Sequence, residues 1–311
     1  MVVGQRNEED KRLGFGGVEM NTLTLMVGLP ASGKSTYAKE MAGENTVVLS
    51  SDALRKELLG DERCQDDNDL VFKTLYRRAK ECLLGGKDVV IDATNINMKA
   101  RRRALSNFAN MDIRREAIVM ATPYEICLKR DKLRERTVGE EVIKKFLYRF
   151  EVPMAYEGFS CVAIVKAALQ HPLRTIWSKS IAFDQKNAHH KYNLDEHMDR
   201  CAFEVEQRSR CSSLIEAAKY HDIGKPYTQT FGEDGQAHYY SHHNVSAYYY
   251  MCCQGVGDVN EIFYINFHML PFFWKDDKTR EKYRRLFGNF RYANLMILHE
   301  CDKIASGTRE E

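Results

Sequence analysis

Residues 22–27, TLTLMV, are an apolar run of strand length that leads directly into Gly28-Leu-Pro-Ala-Ser-Gly33-Lys34-Ser35-Thr36 and then into a helix-compatible stretch, Tyr37 to Ala42. No other feature limits the fold so tightly. The glycines let the backbone turn sharply, so that its N–H groups surround anionic oxygens at a helix N-terminus, where the helix dipole also favours negative charge. The strand–loop–helix order calls for a parallel α/β sheet with a phosphate site at its edge. Lys34 is placed to reach the β- and γ-phosphates of ATP and Ser35 to ligate Mg²⁺, with Gly28, Gly33 and Thr36 completing the cradle.

The segments that follow alternate as a parallel sheet requires. TVVLS (46–50), DVVID (88–92), IRREAIVMA (113–121) and CVAIVKA (161–167) read as strands, and 66–84 and 98–108 as helices. A P-loop domain over residues 20–175, with helices on both faces of its sheet, is expected, followed by a helical domain over 176–311. The distribution of histidine supports two chemistries in series, since all ten histidines lie at or beyond His171.

A P-loop leaves the phosphoryl acceptor open, so other residues must identify it. Ser51-Asp52-Ala-Leu-Arg55 puts a carboxylate and a guanidinium three apart at a helix start. Asp52 there can accept a hydroxyl proton while Arg55 holds an anionic group of the acceptor, or the two can be a helix cap and a surface arginine. Arg130 and Arg134, at i and i+4, can project together over a nucleotide or form a solvated basic face.

GLPASGKS, the D-x-x-R of Asp52 and Arg55, Asp92-Ala-Thr94-Asn95 at a strand end, and the arginine pair together resemble the phage-type 5′-hydroxyl polynucleotide kinases over residues 22–170. The resemblance implies that Asp52 is the general base, that Arg55 holds an acceptor phosphate, and that Arg130 and Arg134 are lid arginines. It places Asp92, Thr94 and Asn95 on the acceptor side.

The second half carries His197, the pair His221-Asp222 within HDIGK, His242, His268 and Asp302. Imidazole and carboxylate without thiolate suit Mn, Ni, Co, Fe or Zn. If His221 and Asp222 are helical neighbours, their side chains diverge by about a hundred degrees, so one can serve a first metal while the other bridges to a second. The order and the HDIGK segment resemble the HD phosphohydrolase superfamily over residues 186–305. That resemblance implies one or two metals, the first held by His197, His221, Asp222 and Asp302, the second by His242 and His268 with Asp222 shared. It also puts Lys225 near a scissile phosphate. His189 and His190 read either as substrate contacts or as a solvated loop, and His243 stands where relatives often carry Glu.

A 5′-hydroxyl kinase joined to a metal phosphohydrolase resembles the HD-Pnk type of RNA end-healing enzyme, with the two parts in the opposite order. It implies RNA or DNA ends as substrates, removal of a 3′-phosphate or 2′,3′-cyclic phosphate, and a separate ligase acting downstream. The alternative is a small-molecule nucleoside or nucleotide kinase fused to an HD nucleotidase or phosphodiesterase. Residues 101–150 hold 13 Lys and Arg against 7 Asp and Glu, including Arg101-Arg102-Arg103 and Arg114-Arg115, in a chain whose formal charge is only +2. This basic stretch can contact phosphates or form a lid and helix surface, and Tyr248-Tyr249-Tyr250 can offer stacking faces or a packing stripe. The small net charge suits a short footprint at an end.

Nine cysteines without a C-x-x-C pair, a charged Met1–Leu13 and no long apolar run lead to the expectation of a cytoplasmic chain with reduced, mostly buried thiols, away from membranes and open to oligomer formation.

Overall fold

The computed structural model describes residues 2, 3, 20–64, 66–168 and 170–307; apart from Val2 and Val3, the charged Met1–Leu13 segment lies outside the described residues. The chain divides into two compact units. Met1–Ile143 and Pro153–Ala168 form the first, Lys144–Val152 and Leu169–Glu311 the second. The division therefore falls earlier than the expected 175/176 boundary, and a short inner segment belongs with the second unit. The asparagine side chains of that unit account for this. Val152 N–H donates to Asn266 Oδ1 at 2.7 Å, Asn266 Nδ2 donates to the Phe150 carbonyl at 3.0 Å, and Asn244 Nδ2 to the Tyr148 carbonyl at 2.7 Å.

Unit one contains β1 (Val2–Val3), β2 (Thr22–Val27), α1 (Lys34–Met41), β3 (Thr46–Ser50), α2 (Ser51–Leu59), α3 (Asn68–Leu84), β4 (Asp88–Asp92), α4 (Met98–Ser106), β5 (Arg114–Ala121), α5 (Tyr124–Lys132), the start of α6 (Glu140–Leu147), and β6 (Cys161–Lys166). The sheet order is β1-β6-β5-β2-β4-β3, parallel except for β1, which pairs antiparallel with β6 at the edge. Successive strand residues point to opposite faces. Met26, Val90, Ile118 and Met120 pack with Ala38 of α1 on one face, while Leu25, Val27, Val89, Ile91 and Val119 are buried on the other, so both faces are covered. Ser50, Asp67 and Asn97 cap α2, α3 and α4 by accepting the N–H of Ala53, Leu70 and Ala100.

Unit two is built from α7 (Leu173–Trp177), α8 (Leu194–Arg208), α9 (Ser212–Tyr220), α10 (Lys225–Thr228), the short strands β7 (Thr230–Phe231) and β8 (Ala237–His238), α11 (His242–Met251), α12 (Val259–Phe267), α13 (Asp277–Phe287) and α14 (Asn289–Ser306). It is helical as expected except for the β7–β8 hairpin. A turn from Gly232 to Gly235 makes this hairpin possible: Gly235 has φ +74°, and its N–H donates to the Gly232 carbonyl at 3.0 Å. All nine cysteines are free thiols, five of them buried and four partly so.

Much of the basic stretch is committed inside unit one. Arg101 and Glu157 are both fully buried and joined by two hydrogen bonds, Nε to Oε2 at 2.9 Å and Nη2 to Oε1 at 2.8 Å. Arg115 donates to the carbonyls of Phe108, Met111 and Ile113, Arg114 pairs with Glu116, and Arg103 pairs with Asp69. Removing one partner of a buried pair strands the other charge at a cost of about 3–5 kcal/mol. Arg101→Met is therefore expected to lower the unfolding free energy of unit one by that amount, and Arg101→Met with Glu157→Leu to recover most of it, read by urea denaturation.

Candidate active sites

In unit one, β2 ends under a loop whose shape depends on glycine at two positions. Gly33 has φ +99°, and a Cβ on Gly28 would approach Ser32 Oγ to 2.9 Å. Gly33 is the N-cap of α1 and offers no side-chain acceptor, which leaves the first-turn N–H groups for an external anion. Lys34 is buried, and its Nζ donates to the Leu29 carbonyl at 2.7 Å. Burial lowers its pKa from 10.5 to about 8, against the opposing pull of Asp92. Ser35 and Thr36 are exposed at the start of α1. Over the loop lies a cavity of about 380 Å³ whose walls include Ser32, Gly33, Thr36, Tyr37, Arg130 and Arg134.

The two arginines reach this cavity by a route the i, i+4 spacing did not anticipate. α5 ends at Lys132, so Arg130 sits in its last turn and Arg134 in the segment beyond. Arg130 Nη1 donates to the Ser32 carbonyl at 3.2 Å. The buried Asp131 carboxylate accepts the N–H groups of Val138 and Gly139 at 3.0–3.1 Å and so closes the loop that carries Arg134.

Asp52 and Arg55 form an ion pair at 2.7 Å. Ser50 rather than Asp52 caps α2, and Arg55 is buried rather than on the surface, with Nη2 donating to Asn68 Oδ1 at 3.0 Å. Asp52 itself is exposed. Register brings Ser50 opposite Asp92, so the helix bearing Asp52 starts beside that buried carboxylate. Asn95 departs from its expected place on the acceptor side. Its Nδ2 donates to the Met26 carbonyl at 2.9 Å, and Gly28 N–H donates to the Thr94 carbonyl at 3.1 Å, so Thr94 and Asn95 brace the loop from below. Thr122, which sequence reading missed, does so as well, its hydroxyl donating to the Ser32 carbonyl at 2.7 Å.

In unit two, five elements converge. His197 comes from α8, His221 and Asp222 from the turn ending α9, His242 from the start of α11, His268 from the end of α12, and Asp302 from α14. All six are buried. The His-Asp pair thus sits at a helix end, not within a helix. Asp222 Oδ1 lies 3.0 Å from His242 Nε2 and 3.5 Å from His268 Nε2, while its Oδ2 lies 3.4 Å from both His197 Nε2 and His221 Nε2. Asp302 Oδ1 is 3.1 Å from His197 Nε2 and 3.5 Å from His221 Nε2. Ligand-type atoms of His197–His221–Asp222, of His221–His268–Asp302 and of Asp222–His242–His268 all lie within 4.8 Å of one another.

The ring nitrogens facing away explain the orientation. Nδ1 of His221, His242 and His268 bonds to the carbonyls of Ala218, Tyr239 and Ile265 at 2.7–2.8 Å, which directs each Nε2 lone pair to the centre. Burial lowers the pKa of His268 and keeps it neutral, the form that ligates metal. Burial opposes ionisation of Asp222, but Lys225 and the imidazoles hold its carboxyl well below the usual carboxylate range; His197 and His221 do the same for Asp302. Six converging donors, three of the four imidazoles with Nδ1 tied to a carbonyl and His197 Nδ1 without a partner among the described residues, fit one or two divalent cations.

Sequence reading missed several supports. A Cβ on Gly224 of HDIGK would come within 2.5 Å of the His242 carbonyl, so glycine is what lets α11 close on this turn, and Gly224 N–H donates to Ser246 Oγ at 2.8 Å. Lys225 Nζ lies 2.6 Å from Asp222 Oδ2. The His189/His190 pair is split: His189 is exposed, and His190 Nε2 lies 3.1 Å from Lys225 Nζ. His243 is outside the six, its ring centroid 6.2 Å from that of His268. Tyr248, Tyr249 and Tyr250 are buried against Phe150, Tyr227 and Tyr220 and offer no stacking face.

Residues 23–153 match the AAA domain family, and this segment has the α/β P-loop kinase fold, with a parallel sheet. Among curated relatives, the chain is 30% identical over 143 residues to L-seryl-tRNA(Sec) kinase of Methanococcus maripaludis, covering 42% of this chain and 53% of that protein. It is 26% identical over 162 residues to the bifunctional polynucleotide phosphatase/kinase of Schizosaccharomyces pombe, covering 50% of this chain and 36% of that one. The chain thus spans about half the length of the first and about a third of the second. A solved structure of the Pnkp1/Rnl/Hen1 RNA repair complex is similar at 22% identity with a TM-score of 0.39, over 42% of this chain and 44% of that chain. No helix among the described residues is long and apolar enough to cross a membrane.

Lys34 supplies a test of the phosphate site. Its folded pKa of about 8 lies below 10.5, so the unfolded chain binds the proton more readily and stability rises with pH across that window. Lys34→Met is expected to remove this rise and to increase the melting temperature of the ligand-free protein at pH 7. The same variant is expected to weaken ATP binding by about a hundredfold or more, with scanning fluorimetry and calorimetry as the readouts.

Proposed function

We propose that the protein heals nucleic-acid ends, phosphorylating 5′-hydroxyls with ATP in unit one and removing 3′-phosphate or 2′,3′-cyclic phosphate in an HD-type unit two. The observation that carries this reading is the convergence of four imidazole Nε2 atoms with the carboxylates of Asp222 and Asp302, in a chain whose other unit has the P-loop kinase fold. The similarity to a protein named for both phosphatase and kinase activity on polynucleotides supports it, as do the Asp52–Arg55 ion pair and the two arginines that line the cavity over the loop.

In unit one, the loop N–H groups and Lys34 bind the phosphates of ATP, with Ser35 on Mg²⁺. Asp52 takes the proton of the attacking 5′-hydroxyl, and Arg55 orients the acceptor while neutralising the base until substrate enters. Arg130 and Arg134 stabilise charge on the transferred phosphoryl. In unit two, His197, His221, Asp222 and Asp302 would hold one metal and Asp222, His242 and His268 a second. Bound there, the metals would supply Lewis-acid polarisation of a phosphoryl oxygen. Lys225 donates to the same phosphate, and burial of the ligands keeps bulk water from competing for them. A nucleic-acid ligase acting on the resulting 5′-phosphate and 3′-hydroxyl would complete the repair.

The second reading, a small-molecule kinase with an HD nucleotidase, draws on the buried pairing of Arg101 with Glu157 and the hydrogen bonds of Arg115 to three backbone carbonyls, which reduce the basic surface available to a long polyanion. An RNA carrying a 5′-hydroxyl and a 2′,3′-cyclic phosphate, incubated with labelled ATP, Mg²⁺ and Mn²⁺, decides between them. Labelled 5′ ends and free 3′-hydroxyls are expected, falling steeply with added salt. Preferential labelling of a free nucleoside would favour the second reading. Asp52→Ala is expected to lower 5′ phosphorylation by at least about a hundredfold and leave 3′ processing intact. Asp222→Ala should release metal and abolish 3′ processing alone; metal content unchanged by elemental analysis would overturn the ligand assignment.

A further inference from the structure

Lys225 is restrained more completely than a flexible ammonium needs to be for simple charge balance. Its three N–H groups are directed to Asp222 Oδ2 at 2.6 Å, Gln185 Oε1 at 2.7 Å and His190 Nε2 at 3.1 Å, and Nζ lies 5.5 Å from the centroid of the Tyr239 ring. Asp222 belongs to the metal set, but Gln185 falls in no motif. We infer that Gln185 is a positioning residue for Lys225, presetting its ammonium to receive a phosphoryl oxygen beside the metal centre. This rests on the phosphohydrolase reading of unit two.

Gln185 is itself fixed at three points. It is 1% exposed, and its Nε2 donates to the Tyr192 carbonyl at 3.0 Å, which settles the amide orientation and turns Oε1 toward Lys225. Its backbone carbonyl accepts the Tyr239 hydroxyl at 2.5 Å, and that hydroxyl accepts from Gln229 Nε2 at 3.0 Å. Next along the chain, the Lys186 carbonyl accepts Ala237 N–H at 2.9 Å, tying the segment to β8. A lysine side chain carries about 2 kcal/mol of rotamer entropy, and ordering it before substrate arrives removes that cost from binding. An amide suits this role because it orients the ammonium without cancelling its charge. A carboxylate in its place would stand with Asp222 against an incoming phosphate. With Asp222 and Gln185 both buried, the half-buried His190 is the exchangeable partner, and its place on Lys225 is where the phosphoryl oxygen docks.

The test is a double-mutant cycle on the full chain saturated with Mn²⁺, titrated with inorganic phosphate by calorimetry. Gln185→Met and Lys225→Met are each expected to weaken phosphate binding about tenfold, the size of one charge-assisted hydrogen bond. The double variant is expected to bind no more weakly than Lys225→Met alone, with Mn²⁺ stoichiometry unchanged in all three. A double variant weakened about a hundredfold would overturn the inference, as would undiminished binding by Gln185→Met or loss of Mn²⁺ from it. Cleavage of a 3′-phosphate end is scored on the same samples. Coupling without cleavage would refute the end-healing reading while leaving Gln185 in its role, whereas cleavage without coupling would do the reverse.

Discussion

A carboxylate buried as deeply as Asp222 is tolerable only if its lone pairs are met, because the desolvation of an unpaired ion amounts to several kcal/mol. In unit two five elements meet around Asp222, and Lys225 reaches Oδ2 at 2.6 Å, while Oδ1 is buried with no hydrogen-bond donor among the described residues, a lone pair that a bound cation would satisfy. α8, the end of α9, the start of α11 and the end of α12 each bring an imidazole, and the turn into α10 brings Lys225. The packing of these elements and the convergence of the donors are therefore one arrangement. Gly224 permits the close approach of α11, and three backbone carbonyls aim the rings inward.

Unit one has the opposite polarity. Its buried charge at the loop is a cation, Lys34, held by one carbonyl while Asp92 stands near, and Arg130 and Arg134 add positive charge at the cavity wall. The chain leaves this excess for an anionic ligand to complete, whereas unit two surrounds a point where positive charge is wanted. The two sites therefore present opposite charge to a ligand, one a surplus of cations and the other a cluster of carboxylate oxygens and imidazole nitrogens.

The inner strands of unit one were legible in sequence because parallel strands buried on both faces read as apolar runs, and TLTLMV and DVVID fall at the predicted positions, as does TVVLS although it is a half-buried edge strand. That the six His and Asp side chains lie together was legible from their order and the HDIGK segment, and they do converge in unit two. What escaped depends on long-range geometry. The three tyrosines from 248 look alike whether they stack on bases or pack in a core, and only α11's burial decides. Asn95 looks like a substrate contact until its amide is seen on the Met26 carbonyl, sixty-nine residues away in sequence. Arg101 carries no sign in sequence that Glu157 will enclose it, and the supports Thr122 and Gln185 belong to no pattern of spacing.

The stitching of Tyr148–Val152 by Asn244 and Asn266 bears on how such a protein can be dissected. Both asparagines lie between ligand-bearing positions, one two residues after His242 and the other two before His268. A strip of chain from the middle of the kinase sequence thus serves as scaffolding for the histidine centre, while the last strand of the sheet is made after it. No single cut in the polypeptide yields two whole units. A shortened chain ending at the last strand of the sheet would carry off a piece the other unit needs, so the two units are inherited together as an interleaved pair rather than as beads on a string.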